Sequence, residues 1–434
     1  MQRIARVLVG GFAASMVSAC VTQGNGPALP SSMRSSAALG RAATFEPEQL
    51  WGAVRNRRWE PVTAADPSST WVYQMTTRQR PDALLFRASS DSGTTWQPLR
   101  YICRRGVRVP FQYDPQIAVA NDGTIDVVCL DGFLPGVVFV RSRDRGAHWT
   151  KAVALARPLR YSDKPTLAIS ADGKDVYVAF NSHYALYVAA SHDGGNTWLP
   201  RVKATIEHYW WYSYGGTVAP NGSVWFAVDG EGGTNQSGGG HVALVSSSDR
   251  GVAWHVTPFA RSHEGAPCRE HNCYPDYFTA EDAIAADASG NLVFAYEKND
   301  RKQGPNTLYV TTSSNGGQSW TSATAVANHG NSTCPAIVAA AANDFRLVWQ
   351  DNRNGYHSWN TWYSRSADGG QTWSQAIRLS GRGSGAPYKH RKGYDLPFGD
   401  YLGLSVDARG INYVIWGEGS AVYSPGGTWW TIGG

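Results

Sequence analysis

The chain has 434 residues, room for one large domain, and a formal net charge of only +5. Gly is abundant (47), Trp is frequent (18) and 17% of residues are charged, a composition that suits many short strands and tight turns. The weak charge, with no basic block interleaved with aromatics, excludes a nucleic-acid binder. No heptads or long amphipathic helical periods recur, so the periodicity reads as all-β.

The first predicted element is a secretory signal. Arg3 and Arg6 precede an apolar run from Val7 to Val17, closed by Val17-Ser18-Ala19-Cys20. This ending resembles the bacterial lipobox. The resemblance implies a signal peptide over 1–19, with Cys20 as the lipidated first residue of an exported, envelope-anchored protein on its periplasmic or cell-surface face. Cleavage would leave a charge of +3. Residues 20–45, rich in Gly, Pro, Ala and Ser, read as a flexible tether to a folded domain at 46–434. No later segment is apolar and long enough to span a bilayer, so membrane contact is expected through the anchor alone, and the protein is expected as a monomer.

Next comes an eight-residue motif written six times: SSDSGTTW (89–96), SRDRGAHW (142–149), SHDGGNTW (191–198), SSDRGVAW (247–254), SSNGGQSW (313–320) and SADGGQTW (366–373). The Asp or Asn positions are 53, 49, 56, 66 and 53 residues apart. Spacing of about 40–50 residues marks a repeat whose unit is a four-stranded propeller blade. In each copy the Asp is expected to hold the turn through N–H groups two residues on. The Gly is expected to take φ > 0, and the Trp to wedge between neighbouring strands. Each turn reads as a hairpin within one blade.

A weaker repeat pairs a small-residue strand, an Asp/Gly turn and a more apolar strand. It recurs from 60, 114, 163, 214, 281, 334 and 399. Seven inner hairpins against six motifs favour seven blades, with six as the alternative. The stretch AVYSPGGTWWTI near the end is at best a degenerate motif, and residues 47–55 are expected to add a strand that closes the ring.

The six motifs resemble the Asp-box, or BNR repeat, of the sialidase-like β-propeller superfamily. The resemblance implies that the boxes sit on outer hairpins, away from the active site, and that function lies elsewhere on the fold.

In propellers, loops entering the innermost strands gather round a central channel. Here those entries carry Glu60, Asp114, Asp163, Tyr214, Glu281, Asp282, Asp400 and Tyr401. As a set they form an acidic ring able to position a sugar or supply a general acid and base. The competing reading is that they cap strand ends and bind water. HYWWYSYGG (208–216), with Trp210, Trp211 and Tyr214, offers rings that stack on sugars or pack between blades. NGYHSWNTWYS (354–364) is similar.

The family resemblance further implies three arginines gripping a sugar carboxylate, a Tyr nucleophile activated by Glu, and an Asp acid/base. Tyr nucleophiles depart from the two-carboxylate scheme, and guanidinium forks match carboxylates. Tyr401, in GDYLGL, occupies a place comparable to the family's tyrosine, with Glu281 and Glu297 as candidate partners. The family's Arg-Ile-Pro has its nearest match at Arg108-Val109-Pro110, after the first box instead of before it. Arg353 and Arg391 could supply further charge, although Arg353 could equally brace a loop. The catalytic candidates are therefore Tyr401, Asp400, Asp114, Glu281 and Asp282. The substrate-binding candidates are Arg108, Arg391, Arg353, Asp163, Trp210, Trp211 and Tyr214.

Of the six cysteines, Cys268 and Cys273 in GAPCREHNCYP are placed to form a local disulfide. Nearby His263 and His271 suggest zinc, but the spacing matches no standard ligand pattern, so no metal or other cofactor is expected. Cys103 and Cys129 could pair, which leaves Cys334 without an evident partner.

The function expected is an exported propeller acting on or binding a glycan or polysaccharide, with sialidase-type exo-glycosidase hydrolysis as the enzymatic form. The alternatives are a non-catalytic tethered propeller binding glycan or protein, and a polysaccharide lyase, suggested by Tyr388-Lys389-His390-Arg391.

Overall fold

The computed structural model describes residues 21–23, 43–52, 58–78, 83–103, 112–132, 136–159, 161–205, 209–232, 239–265, 281–355, 359–381, 401–419 and 426–434. Every helix or strand element among them is a strand. Six antiparallel sheets of four strands, and a seventh of four to which a short parallel strand is added, make seven blades, and the six-blade alternative falls away. The innermost strands, in order, are Arg58–Ala65, Gln112–Val119, Asp163–Ile169, Tyr209–Val218, Asp282–Ala286, Ser332–Ala341 and Tyr401–Val406. Each packs against the next, and Tyr401–Val406 packs against Arg58–Ala65, closing the ring.

Closure is made by the N-terminal side of the domain. Gln49–Leu50 supplies the outermost strand of blade seven, with Gln49 opposite Trp430 and Leu50 opposite Trp429. This is the closing strand expected within 47–55. The tryptophans of AVYSPGGTWWTI lie in that blade's third strand, Gly426–Gly433, so the stretch is no seventh box. A short strand, Val21–Gln23, pairs in parallel with Tyr401–Gly403 on the inner side of the same sheet.

Apolar side chains fill the seams between blades. In one seam Val128, Val137 and Phe139 of blade two meet Leu167, Val176 and Val178 of blade three. Strands covered on both faces lose the apolar/polar alternation of a half-exposed sheet, which explains runs such as VYVAF.

The Asp-boxes join the third and fourth strands of blades one to six. In the third box Ser191 Oγ donates to Asp193 Oδ1 at 2.8 Å and accepts the Gly195 N–H at 2.8 Å. Asp193 Oδ1 takes the Thr197 N–H at 2.8 Å, four residues on instead of the expected two. Two consecutive residues have positive φ: Gly194 and Gly195 here, Ser92 and Gly93 in the first box. The Trp wedges between blades as well as strands. Trp149 meets Phe86 at 5.3 Å and Trp198 meets Phe139 at 5.1 Å, each aromatic partner belonging to the preceding blade. A Cβ on Gly195 would sit 2.3 Å from Phe139, so the close approach requires Gly.

Cys103 and Cys129 are buried free thiols in hydrogen-bond contact and are not bridged. Cys334, for which no partner was evident, is disulfide-bonded, with its partner outside the described residues. Cys20, Cys268 and Cys273 also lie outside them.

Candidate functional site: a carboxyl pair and an aromatic corner at the channel mouth

Four innermost strands open with the same irregularity. Glu60-Pro61, Asp114-Pro115, Lys164-Pro165 and Cys334-Pro335 each insert two residues where the partner strand has one. The first residue of each pair has φ of 50, 52, 48 and 57°. Pro suits a bulge because it has no N–H to leave unpaired in the ladder. Bulges re-aim side chains, and non-Gly residues held at positive φ cost about 1–3 kcal/mol each and cluster at functional sites.

The bulges bring together groups from separate blades. Glu60 Oε2 accepts the Thr77 hydroxyl at 2.5 Å and the Asp114 N–H of the next blade at 2.9 Å. The Lys164 ammonium lies 3.4 Å from Asp114 Oδ1, with both side chains buried. The Asp163 and Asp114 carboxyls are in hydrogen-bond contact. Tyr161 donates its hydroxyl to Asp163 Oδ2 at 2.8 Å. Burial first, then the Asp114 charge, push Asp163 up to about 7, against the opposing pull of Lys164 and Tyr161. The same burial and the Asp163 charge raise the Tyr161 phenol. A carboxyl that exchanges its proton near neutrality beside a second carboxyl and an ammonium is suited to acid/base work.

Aromatic rings flank this pair. Trp210 is half-buried and meets Tyr161 at 6.0 Å, His183 at 6.4 Å and Tyr184 at 5.0 Å between centroids. Tyr184 is exposed. Trp211 does not join this corner: it is buried in the seam between blades three and four. Tyr214 does not join it either, being fully buried and in hydrogen-bond contact with Asp229.

Glu281 and Asp282 fall in a second, deeper group. Glu281 Oε2 accepts the Thr333 hydroxyl at 2.6 Å and the Cys334 N–H at 2.5 Å, repeating the Glu60 clamp. Burial, then Asp229 and Glu281, hold Asp282 well above the ordinary carboxyl range; burial and Glu281 do the same for Glu297. Among the described residues no three His, Cys, Asp or Glu side chains are grouped to hold a metal ion.

Arg353 is engaged internally. Its Nε lies 2.9 and 3.0 Å from the two Asp351 oxygens, its Nη2 adds a contact of 2.5 Å, and its guanidinium stacks over Trp362 at 3.8 Å. Tyr401 opens the innermost strand of blade seven. Its side chain, together with Arg108, His271, Arg391, Asp400 and the stretch 388–391, lies outside the described residues. Sequence reading passed over Lys164, Tyr161, His183 and Tyr184. The recurring x-Pro at the strand entries was the signal that could have exposed Lys164.

The family model for the BNR repeat-like domain matches residues 40–285. The chain belongs to the BNR repeat-like family. No curated protein matches it. Among solved structures it is similar to the polysaccharide lyase PL25 ulvan lyase bound to -[GlcA(1-4)Rha3S]-, with 13% identity and a TM-score of 0.54 over 86% of this chain and 94% of that one. It is also similar to the Hadza microbial sialidase Hz136, with 15% identity and a TM-score of 0.47 over 84% and 73%. A third is the Penicillium chrysogenum alpha-L-arabinanase complexed with arabinobiose, with 14% identity and a TM-score of 0.46 over 78% and 99%. At 13% identity the likeness to the lyase speaks for a shared fold alone.

Proposed function

We propose that this BNR repeat-like propeller acts on a glycan at the channel mouth, with Asp163 as general acid/base and the Trp210 corner as the sugar platform. The observation that carries this is the Asp114–Asp163 contact beside Lys164, which places a proton-exchanging carboxyl near pH 7 next to stacking rings. The lyase neighbour bound to -[GlcA(1-4)Rha3S]- supports a carbohydrate reading on this fold. Two carboxyls in hydrogen-bond contact are too close to flank a glycosidic bond, which needs about 5–9.5 Å between them. The pair therefore works as one proton donor and acceptor. In a sialidase-type hydrolysis Tyr401 is the candidate nucleophile. We also place the protein in the cell envelope, exported and anchored through Cys20.

A second reading is a binding propeller without catalysis. It is favoured by Arg353, whose guanidinium is engaged by Asp351 and Trp362 instead of being held for a sugar carboxylate. Incubating the purified protein with a glycan panel that includes a fluorogenic sialoside, arabinan and ulvan separates the two. Product release that falls at least 100-fold in Asp163→Asn and Tyr401→Phe supports hydrolysis. Release lost in Asp163→Asn but retained in Tyr401→Phe keeps Asp163 and rejects the tyrosine nucleophile. Binding without release, weakened by Trp210→Ala, establishes the binding propeller.

A further inference from the structure

We propose a second binding site, for the acidic group of a saccharide, in a cleft at the rim of blade four, where Lys302 of blade five joins it. The cleft measures about 390 Å³ and is lined by Gly239, Gly240, His241, Arg261, His263 and Lys302, with Ser262 and Glu264 completing it. That volume lies within the range of about 300–1,000 Å³ usual for small-molecule sites. The inference rests on the glycan reading for the identity of the ligand and on the cleft itself for its charge.

The charge is positive. Among the described residues lining the cleft, Arg261 and Lys302 meet one carboxylate, Glu264, which Lys302 approaches at 3.3 Å. The Arg261 guanidinium has one polar contact, His241 Nε2 at 3.4 Å, and no carboxylate within ion-pair range among the described residues. Burial and the Arg261 charge lower the His241 pKa, which disfavours a second cation beside the guanidinium. A guanidinium fork matches a carboxylate or sulfate in two parallel hydrogen bonds.

The floor is built before any ligand arrives. Gly240 and Ser262 exchange backbone hydrogen bonds of 3.0 and 2.8 Å. Ser262 Oγ accepts the Asn299 N–H at 2.9 Å, and the His263 N–H reaches Asn299 O at 3.0 Å. These contacts tie the end of blade four's outer strand, His255–Arg261, to blade five. Gly239 lets the chain pass, since a Cβ there would lie 2.2 Å from Ser262 O.

The cleft opens on the same rim as the acid/base pair. Tyr209 begins blade four's innermost strand, while Gly240 begins its third strand and Arg261 ends its fourth. The Tyr209 ring sits 4.2 Å from that of His241, and the adjacent Trp210 belongs to the aromatic corner. Consecutive strand residues point to opposite faces. One strand end thus serves the central corner with Trp210 and, through Tyr209, backs His241 of the outer cleft.

Calorimetric titration of the full-length protein with oligoglucuronate, inorganic sulfate and a neutral glucan of matched length tests this. The expected result is binding of the acidic probes, with oligoglucuronate affinity falling about tenfold or more in Arg261→Ala/Lys302→Ala, equivalent to about 1.4 kcal/mol. Any affinity for the neutral glucan, and the melting temperature, should not change. Arg261→Lys should recover part of the affinity, because it restores charge without the fork. A double variant that binds oligoglucuronate as the unaltered protein does overturns the cleft, as does an unaltered protein that binds neither acidic probe. Oligoglucuronate binding that is lost in the double variant but survives Asp163→Asn and Trp210→Ala, with no product released from the glycan panel, would keep the cleft and remove the central reading. Panel activity with an unchanged double variant would do the reverse.

Discussion

The carboxylate of Glu60 accepts the backbone N–H of Asp114 at 2.9 Å, so a side chain of blade one holds the bulge of blade two. Glu281 repeats this on Cys334 between blades five and six. Each Glu also takes a Thr hydroxyl, Thr77 or Thr333. Removing the acceptor strands a buried N–H, which costs about 1–3 kcal/mol. Glu60→Ala should therefore destabilise by that amount in urea unfolding and Glu60→Gln by less. Equal losses in the two variants would show that the charge, and not the acceptor, is what matters.

Asp163 sets a pH dependence of defined sign. Its folded pKa, about 7, lies above the ordinary carboxyl value, so the native state holds its proton more tightly than the unfolded chain. That contribution is complete below about pH 4, the unfolded carboxyl value, and is lost as pH rises through 7. Asp163→Asn mimics the protonated form. It should be more stable than the parent at pH 8 and gain little at pH 4. Asp282→Asn should follow the same direction. An Asn variant that is less stable at pH 8 than at pH 4, relative to the parent, would reverse the sign.

The boxes give the opposite limb. Hydrogen bonds hold Asp91, Asp144 and Asp193 down to about 2, with the Thr95 side chain, the His148 N–H and the Thr197 side chain as the leading donors. Their stabilisation is present above the unfolded carboxyl value and disappears as pH falls towards 2. The fifth box already carries Asn315, whose Oδ1 accepts the Ser319 N–H at 3.0 Å, so the turn forms without a charge. Asp91→Asn/Asp144→Asn/Asp193→Asn should fold and show a flatter acid limb in a pH series of thermal melts. An unaltered acid limb would place acid sensitivity elsewhere.

Two glycines separate strain from contact. Gly195 has φ +78 and leaves 2.3 Å between an added Cβ and Phe139, whereas Gly222 has φ +84 with nothing within 4 Å. Gly222→Ala should cost only the left-handed backbone penalty, about 1–2 kcal/mol. Gly195→Ala should exceed it by at least about 1–3 kcal/mol of overpacking, and Phe139→Leu in the same chain should recover part of the difference. Equal costs at the two sites would mean that the blade seam yields freely.

Whatever is contained in a few adjacent residues was legible in the sequence. The box closes within eight positions, since Ser191, Asp193, Gly195 and Trp198 bond to one another. The small-residue hairpins from 60 to 399 mark the innermost strands in the same local way, and counting them yields seven blades. Only the tertiary structure decided which of these groups meet. Asp114 and Asp163 are 49 residues apart and meet because ring closure sets neighbouring innermost strands side by side. Burial in that ring moves Asp163 towards neutrality, and no spacing in the chain encodes burial. The same closure hides Trp211 in a seam while leaving Trp210 in the aromatic corner, although the two are neighbours in sequence. Local turn chemistry is a property of contiguous residues, whereas proton affinity and ring exposure depend on groups that only the closed propeller brings into contact.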